Sequence, residues 1–121
     1  MDHLVVVEDE VIIGVFIREA LRDKGFSVAV ASDAEESLPL FQTETAAAII
    51  DVGLPQISGD RLAQQLRQLR PQLPIVLTTG YDHQIYETMF AGDELVRILG
   101  KPFDEFELLA SLESLNVRPQ E

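Results

Sequence analysis

Five short apolar runs alternate with stretches of helical periodicity along the 121-residue chain, and this alternation limits the fold more than any other feature. The predicted strands cover residues 3–7, 27–31, 46–50, 74–78 and 95–99. Near-continuous apolar strands are typical of a parallel sheet that is covered on both faces. The order of elements therefore predicts a three-layer α/β sandwich of the (βα)5 type with right-handed connections.

The helical stretches carry local signals for where helices begin and where they are interrupted. Asp33 with Glu36, and Asp104 with Glu107, have the spacing of a capping box at two predicted helix starts. Pro39 falls inside the second predicted helix, where its ring and missing N–H oppose helical hydrogen bonding. We therefore expect this helix to be short, kinked or shifted.

The length of the chain suits one domain, and no linker, low-complexity segment or repeat divides it. We expect a single domain over residues 1–116 and a short C-terminal tail over residues 117–121. The start of the chain does not resemble a signal peptide, and no apolar stretch is long enough to span a bilayer. We therefore expect a soluble, cytoplasmic protein with no membrane partner.

Charge and cysteine content exclude several classes of function. The formal net charge is −12, from 21 acidic and 9 basic residues, and the basic residues form no run. A surface this acidic repels the phosphates of nucleic acids. We therefore expect no nucleic acid partner. The chain has no cysteine, which excludes disulfides and thiolate metal sites. A cation or a basic protein surface fits the charge better.

Polar residues follow the predicted strands at the edge of the sheet where open parallel sheets bind their ligands. Glu8 and Asp9 follow the first strand, Asp51 the third, Thr79 the fourth and Lys101 the fifth. Alone, each has a structural explanation, such as a solvated acidic loop or a threonine in a strand. Together, these acids, one hydroxyl and one cation can bind a divalent metal and stabilise an anion beside it.

Four segments resemble the signature blocks of response regulator receiver domains, the phosphorylated modules of two-component signalling and chemotaxis. They are VVVEDE at 5–10, DVGLPQISG at 51–59, LTTG at 77–80 and GKPF at 100–103, in the order and spacing of the family. The resemblance covers about residues 3–115. It implies a flavodoxin-like fold with a parallel sheet of strand order 2-1-3-4-5.

The resemblance implies that Asp51 accepts a phosphoryl group from a sensor histidine kinase or a small phosphodonor, in a reaction that needs Mg²⁺ or Mn²⁺. Asp9 and Asp51 would be direct carboxylate ligands, the Gly53 carbonyl a third ligand, and Glu8 a ligand through water. Three acids this close need a cation among them, since two like charges ~4 Å apart repel by roughly 4 kcal/mol at an effective dielectric of 20.

The same resemblance gives roles to two further residues. Lys101 would pair with Asp51 at rest and with the phosphoryl group afterwards, and Pro102 makes a cis peptide after Lys101 plausible. Thr79 would donate its hydroxyl to a phosphoryl oxygen and draw its loop inward. Thr78 is expected to face the packing of the sheet instead, because adjacent strand residues point to opposite faces.

The output implied by the family is a conformational switch that changes protein–protein contacts. An unidentified downstream partner would bind around the fourth helix, fifth strand and fifth helix. Ile98 stands where many members carry Tyr or Phe, so the aromatic rotamer switch is missing. Gly53 is the second residue after Asp51, and Tyr81 is the second residue after Thr79. These two residues predict slow autodephosphorylation. We expect no enzymatic activity beyond the chain's own phosphotransfer and dephosphorylation.

Three other functions remain open. A receiver-like interaction module would work without phosphorylation, although the complete acid–Asp–Thr–Lys set argues against it. A metal-dependent phosphatase with an Asp nucleophile would need a second Asp at the position of Gly53. A flavin-binding protein would need a phosphate-cradling loop after the first strand, where Glu8 and Asp9 would repel the phosphate.

Overall fold

The computed structural model describes residues 2–119, and this range contains one five-stranded sheet flanked by helices. The strands are β1 His3–Val7, β2 Ser27–Ala31, β3 Thr45–Asp51, β4 Ile75–Thr79 and β5 Val96–Gly100. The helices are α1 Val11–Asp23, α2 Ala34–Ser37, α3 Gly59–Leu69, α4 His83–Met89 and α5 Glu105–Ser114. A 3-10 turn, Leu38–Leu40, follows α2.

All strands pair in parallel in the order β2-β1-β3-β4-β5. This confirms the predicted fold class and strand order. From β1 the chain first adds β2 on one side and then β3 on the other side. Such a reversal opens a crevice at the carboxyl ends of β1 and β3, which is where ligands bind in sheets of this kind.

Apolar side chains cover both faces of the sheet, which explains why the strands are apolar nearly throughout. On β3, Ala48 and Ile50 belong to a first cluster that includes residues of α2 and α3. Ala47 and Ile49 alternate with them and belong to a second cluster that includes residues of α1 and α5. The alternation within one strand therefore assigns its residues to the two layers of helices.

The second helix is short, as Pro39 predicts, because α2 has four residues and gives way at once to the 3-10 turn. Asp33 caps α2 by accepting a hydrogen bond of 2.8 Å from the Glu36 N–H. The Glu36 carboxylate instead accepts from Ser32, so the predicted capping box is only half formed.

At α5 the predicted capping box is complete. Asp104 accepts a hydrogen bond of 2.8 Å from the Glu107 N–H, and Glu107 accepts one of 3.2 Å from the Asp104 N–H. The two bonds fix the point at which α5 begins, directly after the loop that carries Lys101.

Three strands differ from prediction, each at both ends. β3 includes one more residue at each end, Thr45 and Asp51, and the predicted strands 74–78 and 95–99 each begin and end one residue later. Asp51 and Thr79 are therefore the last residues of their strands. Among the residues that the structure describes, no helix is long and apolar enough to cross a membrane.

The predicted domain boundary between residues 116 and 117 stays a prediction. Val117, the first residue of the predicted tail, is buried with the second apolar cluster. Residues 120 and 121 of that tail lie outside the described part of the chain.

Candidate functional site

The carboxyl ends of β1, β3 and β5 bring Glu8, Asp51 and Lys101 together. The Lys101 Nζ atom lies 3.0 Å from Glu8 Oε1 and 3.2 Å from Asp51 Oδ1. The side chains are 1%, 7% and 17% exposed for Glu8, Asp51 and Lys101, respectively. Because so little water reaches them, the charges are poorly screened and interact strongly.

Asp9 completes a cluster of three acids. One carboxylate oxygen from each of Glu8, Asp9 and Asp51 lies within 4.8 Å of the others, and Asp9 is exposed where the other two are buried. Mg²⁺ takes oxygen ligands at about 2.0–2.1 Å, which places ligand oxygens up to about 4 Å apart. Modest side-chain rotation would therefore bring the cluster to the spacing that such an ion needs.

The pKa shifts at the site follow from burial and from the ion pairs. Burial raises the pKa of Glu8, the hydrogen bonds it accepts from Lys101 and the Glu10 N–H oppose this, and Asp51 adds to the rise. Burial alone would lower the pKa of Lys101, but the hydrogen bond to Glu8 and the charge of Asp51 raise it overall. Lys101 is therefore a cation at neutral pH, facing a surplus of acidic groups.

The two threonines at the end of β4 are both buried but differ in their contacts. The Thr79 hydroxyl accepts a hydrogen bond of 3.0 Å from the Tyr81 N–H and so contacts its own loop. Within residues 2–119 it makes no hydrogen bond to Asp51 or Lys101. Thr78 is exposed to the same 1% as Thr79, and its Oγ1 atom has no hydrogen-bond partner within residues 2–119.

Two glycines let the chain pass close to Asp51. A Cβ atom at Gly53 would lie 3.6 Å from Asp51 Oδ2, so the backbone at this position runs beside the carboxylate. A Cβ atom at Gly59 would collide with the backbone carbonyl of Asp51. The Gly59 N–H also donates to the Val52 carbonyl at 2.8 Å, so α3 begins against the end of β3.

The backbone at Lys101 is held to the sheet. The peptide bond between Lys101 and Pro102 is cis, as the sequence predicts. The Lys101 N–H donates to the Thr79 carbonyl at 2.8 Å, which continues the pairing of β4 with β5. Lys101 and Thr79 are thus joined through the backbone as well as through their place in the sheet.

Sequence reasoning missed the contact between His83 and Gly100. The imidazole of His83, the first residue of α4, occupies the space that a Cβ atom on Gly100 would need. A glycine inside a strand can mark such a close approach, and this was the available signal. It also missed the ion pair of Lys101 with Glu8, since only Asp51 was expected as the partner.

Both the sequence and the fold of the chain match known proteins. The sequence profile of the response regulator receiver domain matches residues 4–113. The alkaline phosphatase synthesis transcriptional regulatory protein PhoP of Bacillus subtilis is 31% identical over 113 residues, which are 93% of this chain and 47% of PhoP. The transcriptional regulatory protein CpxR of Klebsiella pneumoniae is 29% identical, covering 95% of this chain and 49% of CpxR.

The chain thus spans about half the length of these curated relatives. Among solved structures, the chemotaxis protein CheY4 of Vibrio cholerae matches with a TM-score of 0.86 at 24% identity. The match covers 95% of this chain and 98% of CheY4. At this identity, the likeness shows the shared fold.

Proposed function

The chain belongs to the response regulator receiver domain family of two-component signalling, and from this we propose that Asp51 is its phosphoryl acceptor. The donor would be the phosphohistidine of a sensor histidine kinase or a small phosphodonor. The observation that carries the proposal is the Asp51 carboxylate, buried at the crevice beside two acids and 3.2 Å from the Lys101 ammonium. A nucleophilic carboxylate needs such positioning and charge, because it reacts poorly in water.

In the transfer, one Asp51 oxygen forms a bond to phosphorus while the bond from phosphorus to the donor atom breaks. The electron pair of the broken bond leaves with the donor. When the donor is a phosphohistidine, the released histidine nitrogen takes up a proton. When the donor is acetyl phosphate, acetate leaves without taking up a proton. The product is an aspartyl phosphate, and the chain's contribution is position and electrostatic stabilisation.

Mg²⁺ or Mn²⁺ would be held by the carboxylates of Asp9 and Asp51 and by the Gly53 carbonyl. Glu8 would act through a water molecule, which agrees with the use of its carboxylate by Lys101. Hard oxygen donors of this kind select these ions. When bound, the ion supplies positive charge to the phosphoryl oxygens.

We propose that the signal begins when Lys101 and Thr79 turn to the phosphoryl group. Lys101 would leave Asp51 for a phosphoryl oxygen. Thr79 would donate its hydroxyl to another, and the loop after β4 would follow it inward. Ile98 packs partly buried against the first apolar cluster, so the change would reach the α4, β5 and α5 surface without an aromatic rotamer. A protein partner would read it there.

Acetyl phosphate with Mg²⁺ tests the proposal. We expect a mass gain of one phosphoryl group on Asp51, lost in Asp51→Asn and when Mg²⁺ is chelated. Asp60→Asn is the matched control, since it removes an acid in the first turn of α3 and should be labelled like the wild type. Label at the same position in Asp51→Asn would contradict the proposal. If the wild type takes up no label, the alternative function, an interaction module that works without phosphorylation, is favoured.

The phosphoryl group should be lost slowly. Gly53 carries no side chain that could orient a water molecule toward the phosphorus, although the position runs beside Asp51 Oδ2. Introducing an amide there, in Gly53→Asn, should shorten the lifetime of the label, because the new side chain can bind that water. The decay of the label after removal of the donor measures the phosphoryl lifetime of the wild type and of Gly53→Asn. A wild-type lifetime of seconds would contradict the prediction.

A further inference from the structure

Thr78 holds a hydroxyl group in the protein interior without a hydrogen bond. The residue is 1% exposed, and its Oγ1 atom has no hydrogen-bond partner within residues 2–119. Buried hydroxyl groups are nearly always paired, because leaving one unpaired lowers stability. The other buried atom without a hydrogen bond in this range, Arg18 Nε, lies 3.7 Å from Glu19 Oε2 and belongs to a side chain that is 38% exposed. Thr78 is therefore the case that needs a functional explanation.

The unpaired hydroxyl lies on the strand next to the phosphoryl acceptor. Thr78 is the register partner of Asp51 in the pairing of β3 with β4. Register partners in a parallel ladder point to the same face. The partners two residues earlier, Ile49 and Val76, show this because both belong to the second apolar cluster. The side chains of Thr78 and Asp51 are therefore neighbours on that face.

Lys101 approaches its partners from the far side of β4. The strand order places β4 between β3 and β5, and Leu99 on β5 is the register partner of Thr78. Lys101 follows two residues later and extends to acids at the ends of β3 and β1. Lys101 continues the alternation of Leu99, so its side chain leaves the backbone toward the Thr78 face, and its ammonium lies 3.2 Å from Asp51 Oδ1.

We propose that Thr78 is a positioning residue for the transfer, whose hydroxyl donates a hydrogen bond to the Asp51 carboxyl group when Lys101 turns to the phosphoryl group. This inference rests on the proposed function. At rest Lys101 holds the Asp51 carboxylate in a rotamer in which it accepts no hydrogen bond from Thr78. Once the ammonium leaves, Asp51 lacks a donor on this side, and Thr78 is the polar side chain that the neighbouring strand offers.

The hydrogen bond would fix the rotamer of the Asp51 carboxyl group, so that one of its oxygens stays directed at phosphorus. The hydroxyl keeps its hydrogen throughout, so no proton or electron pair passes through Thr78. This role differs from that of Thr79, whose hydroxyl accepts a hydrogen bond from the Tyr81 N–H at rest and would later donate to the phosphoryl group. Of the two adjacent threonines, Thr78 would thus donate to the Asp51 carboxyl group and Thr79 to the phosphoryl group.

Two substitutions separate the hydroxyl from the shape of the side chain. Thr78→Val replaces only the hydroxyl with a methyl group, and Thr78→Ser keeps the hydroxyl. With acetyl phosphate and Mg²⁺, we expect Asp51 to be labelled about fivefold more slowly in Thr78→Val, the ratio that one net hydrogen bond contributes. Thr78→Ser should be labelled at close to the wild-type rate.

Thermal unfolding without Mg²⁺ gives a second, independent readout. Thr78→Val should melt at a higher temperature than the wild type, because the unpaired buried hydroxyl is gone. A hydroxyl with a purely structural role would give the opposite pair of results, a lower melting temperature with an unchanged labelling rate. Slower transfer in a more stable protein is therefore the signature of the proposed role.

Several outcomes would overturn the inference. Equal labelling rates for Thr78→Val and the wild type would remove the role of the hydroxyl. Equal slowing in Thr78→Val and Thr78→Ser would assign the effect to shape. A wild type that takes no label refutes the proposed function, and this inference with it, whereas a labelled wild type with an unaffected Thr78→Val refutes only the inference.

If Thr78→Val does not fold, a crystal structure of the wild type with Mg²⁺ and beryllofluoride decides the question. We expect the Thr78 Oγ1 atom within about 3.2 Å of an Asp51 carboxyl oxygen, a hydrogen-bond distance. A hydroxyl that still has no partner in that structure would overturn the inference.

Discussion

The helices that follow Asp51 and Thr79 are attached to the sheet to very different degrees. α3 buries the residues Gly59, Leu62, Ala63 and Leu66. None of the seven residues of α4, all of which the structure describes, is buried. Its Tyr86 packs only partly buried against the first apolar cluster.

This difference assigns separate tasks to the two sides of the site. Segments with few buried apolar contacts open at lower free energy than segments packed into the core. The loop after Asp51 is held by a well-packed helix and keeps the acceptor in place. The loop after Thr79 leads into a loosely packed helix, so we expect the response to phosphorylation to be concentrated there.

The largest expected effect comes from comparing one substitution to alanine in α3 with one in α4. Leu62→Ala removes a side chain that is 0% exposed and should lower the free energy of unfolding by roughly 3–4 kcal/mol. Ile85→Ala removes one that is 57% exposed and should change it by less than about 0.5 kcal/mol. Urea denaturation measures both. Similar losses in the two variants would break the comparison.

The ion cluster at the carboxyl ends of β1, β3 and β5 should be the next most sensitive feature. Lys101→Met leaves the buried Glu8 and Asp51 carboxylates without their cation. We expect a loss of roughly 3 kcal/mol at neutral pH, the lower end for a buried pair because Lys101 is 17% exposed. If the proposed metal site is correct, Mg²⁺ should restore part of the loss, since ligands of the folded state stabilise it.

The pH dependence of this variant follows from the raised pKa of Glu8. A raised pKa means that the folded state binds the proton more tightly, so stability rises as the pH falls from neutral toward the ordinary value of 4.5. The deficit of Lys101→Met should shrink over that window. In the wild type, the raised pKa of Lys101 contributes stability below 10.5 that is lost as the pH rises through its folded-state value. Urea midpoints across pH check both statements.

A pair of glycine substitutions sharpens the comparison with a smaller effect. Gly59→Ala would drive a methyl group into the Asp51 carbonyl, and we expect a loss of about 2 kcal/mol from overpacking. A Cβ atom at Gly92, after α4, meets no described atom within 4 Å, so Gly92→Ala should be neutral or slightly stabilising. Thermal midpoints of the two variants should move in different directions or by very different amounts.

The smallest predicted effect concerns the link between the two regions. Arg67 on α3 donates to Asp93, beyond α4, at 2.7 Å, and both side chains are about one-fifth exposed. Asp93→Asn should lower the free energy of unfolding by about 1.5 kcal/mol. The exposed pair of Lys24 with Glu105, at 3.8 Å, is the control, and Lys24→Met should cost at most about 0.5 kcal/mol. Equal effects would show that the link is no stronger than a surface pair.

The fold could be predicted because burial on both faces of a sheet leaves a strong sequence pattern. β1 and β2 have the predicted bounds. β4 begins one residue later than predicted because Pro74 accepts a hydrogen bond from the Ala48 N–H at 3.0 Å but has no N–H of its own to donate. Local signals of this kind fix elements to within a residue.

The candidate site could be predicted only in part. Parallel strands end at one edge, so Glu8, Asp9, Asp51 and Lys101 were expected to meet, and the structure brings them together. The unpaired hydroxyl of Thr78 was not predicted. It depends on which polar atoms lie within hydrogen-bond distance of the end of β4, which the spacing of residues along the chain does not encode. The same holds for the approach of His83 to Gly100.

The imidazole of His83 and the vacant Cβ direction of Gly100 occupy one shared volume. A larger residue at position 100 requires that the His83 ring turn away or that position 83 become smaller, so the two sites should be redesigned as a unit. A chimera that receives β5 from a relative with a bulkier residue at this point is expected to displace the His83 ring unless it also receives that relative's first residue of α4. Directed libraries built on this scaffold should therefore vary both codons together.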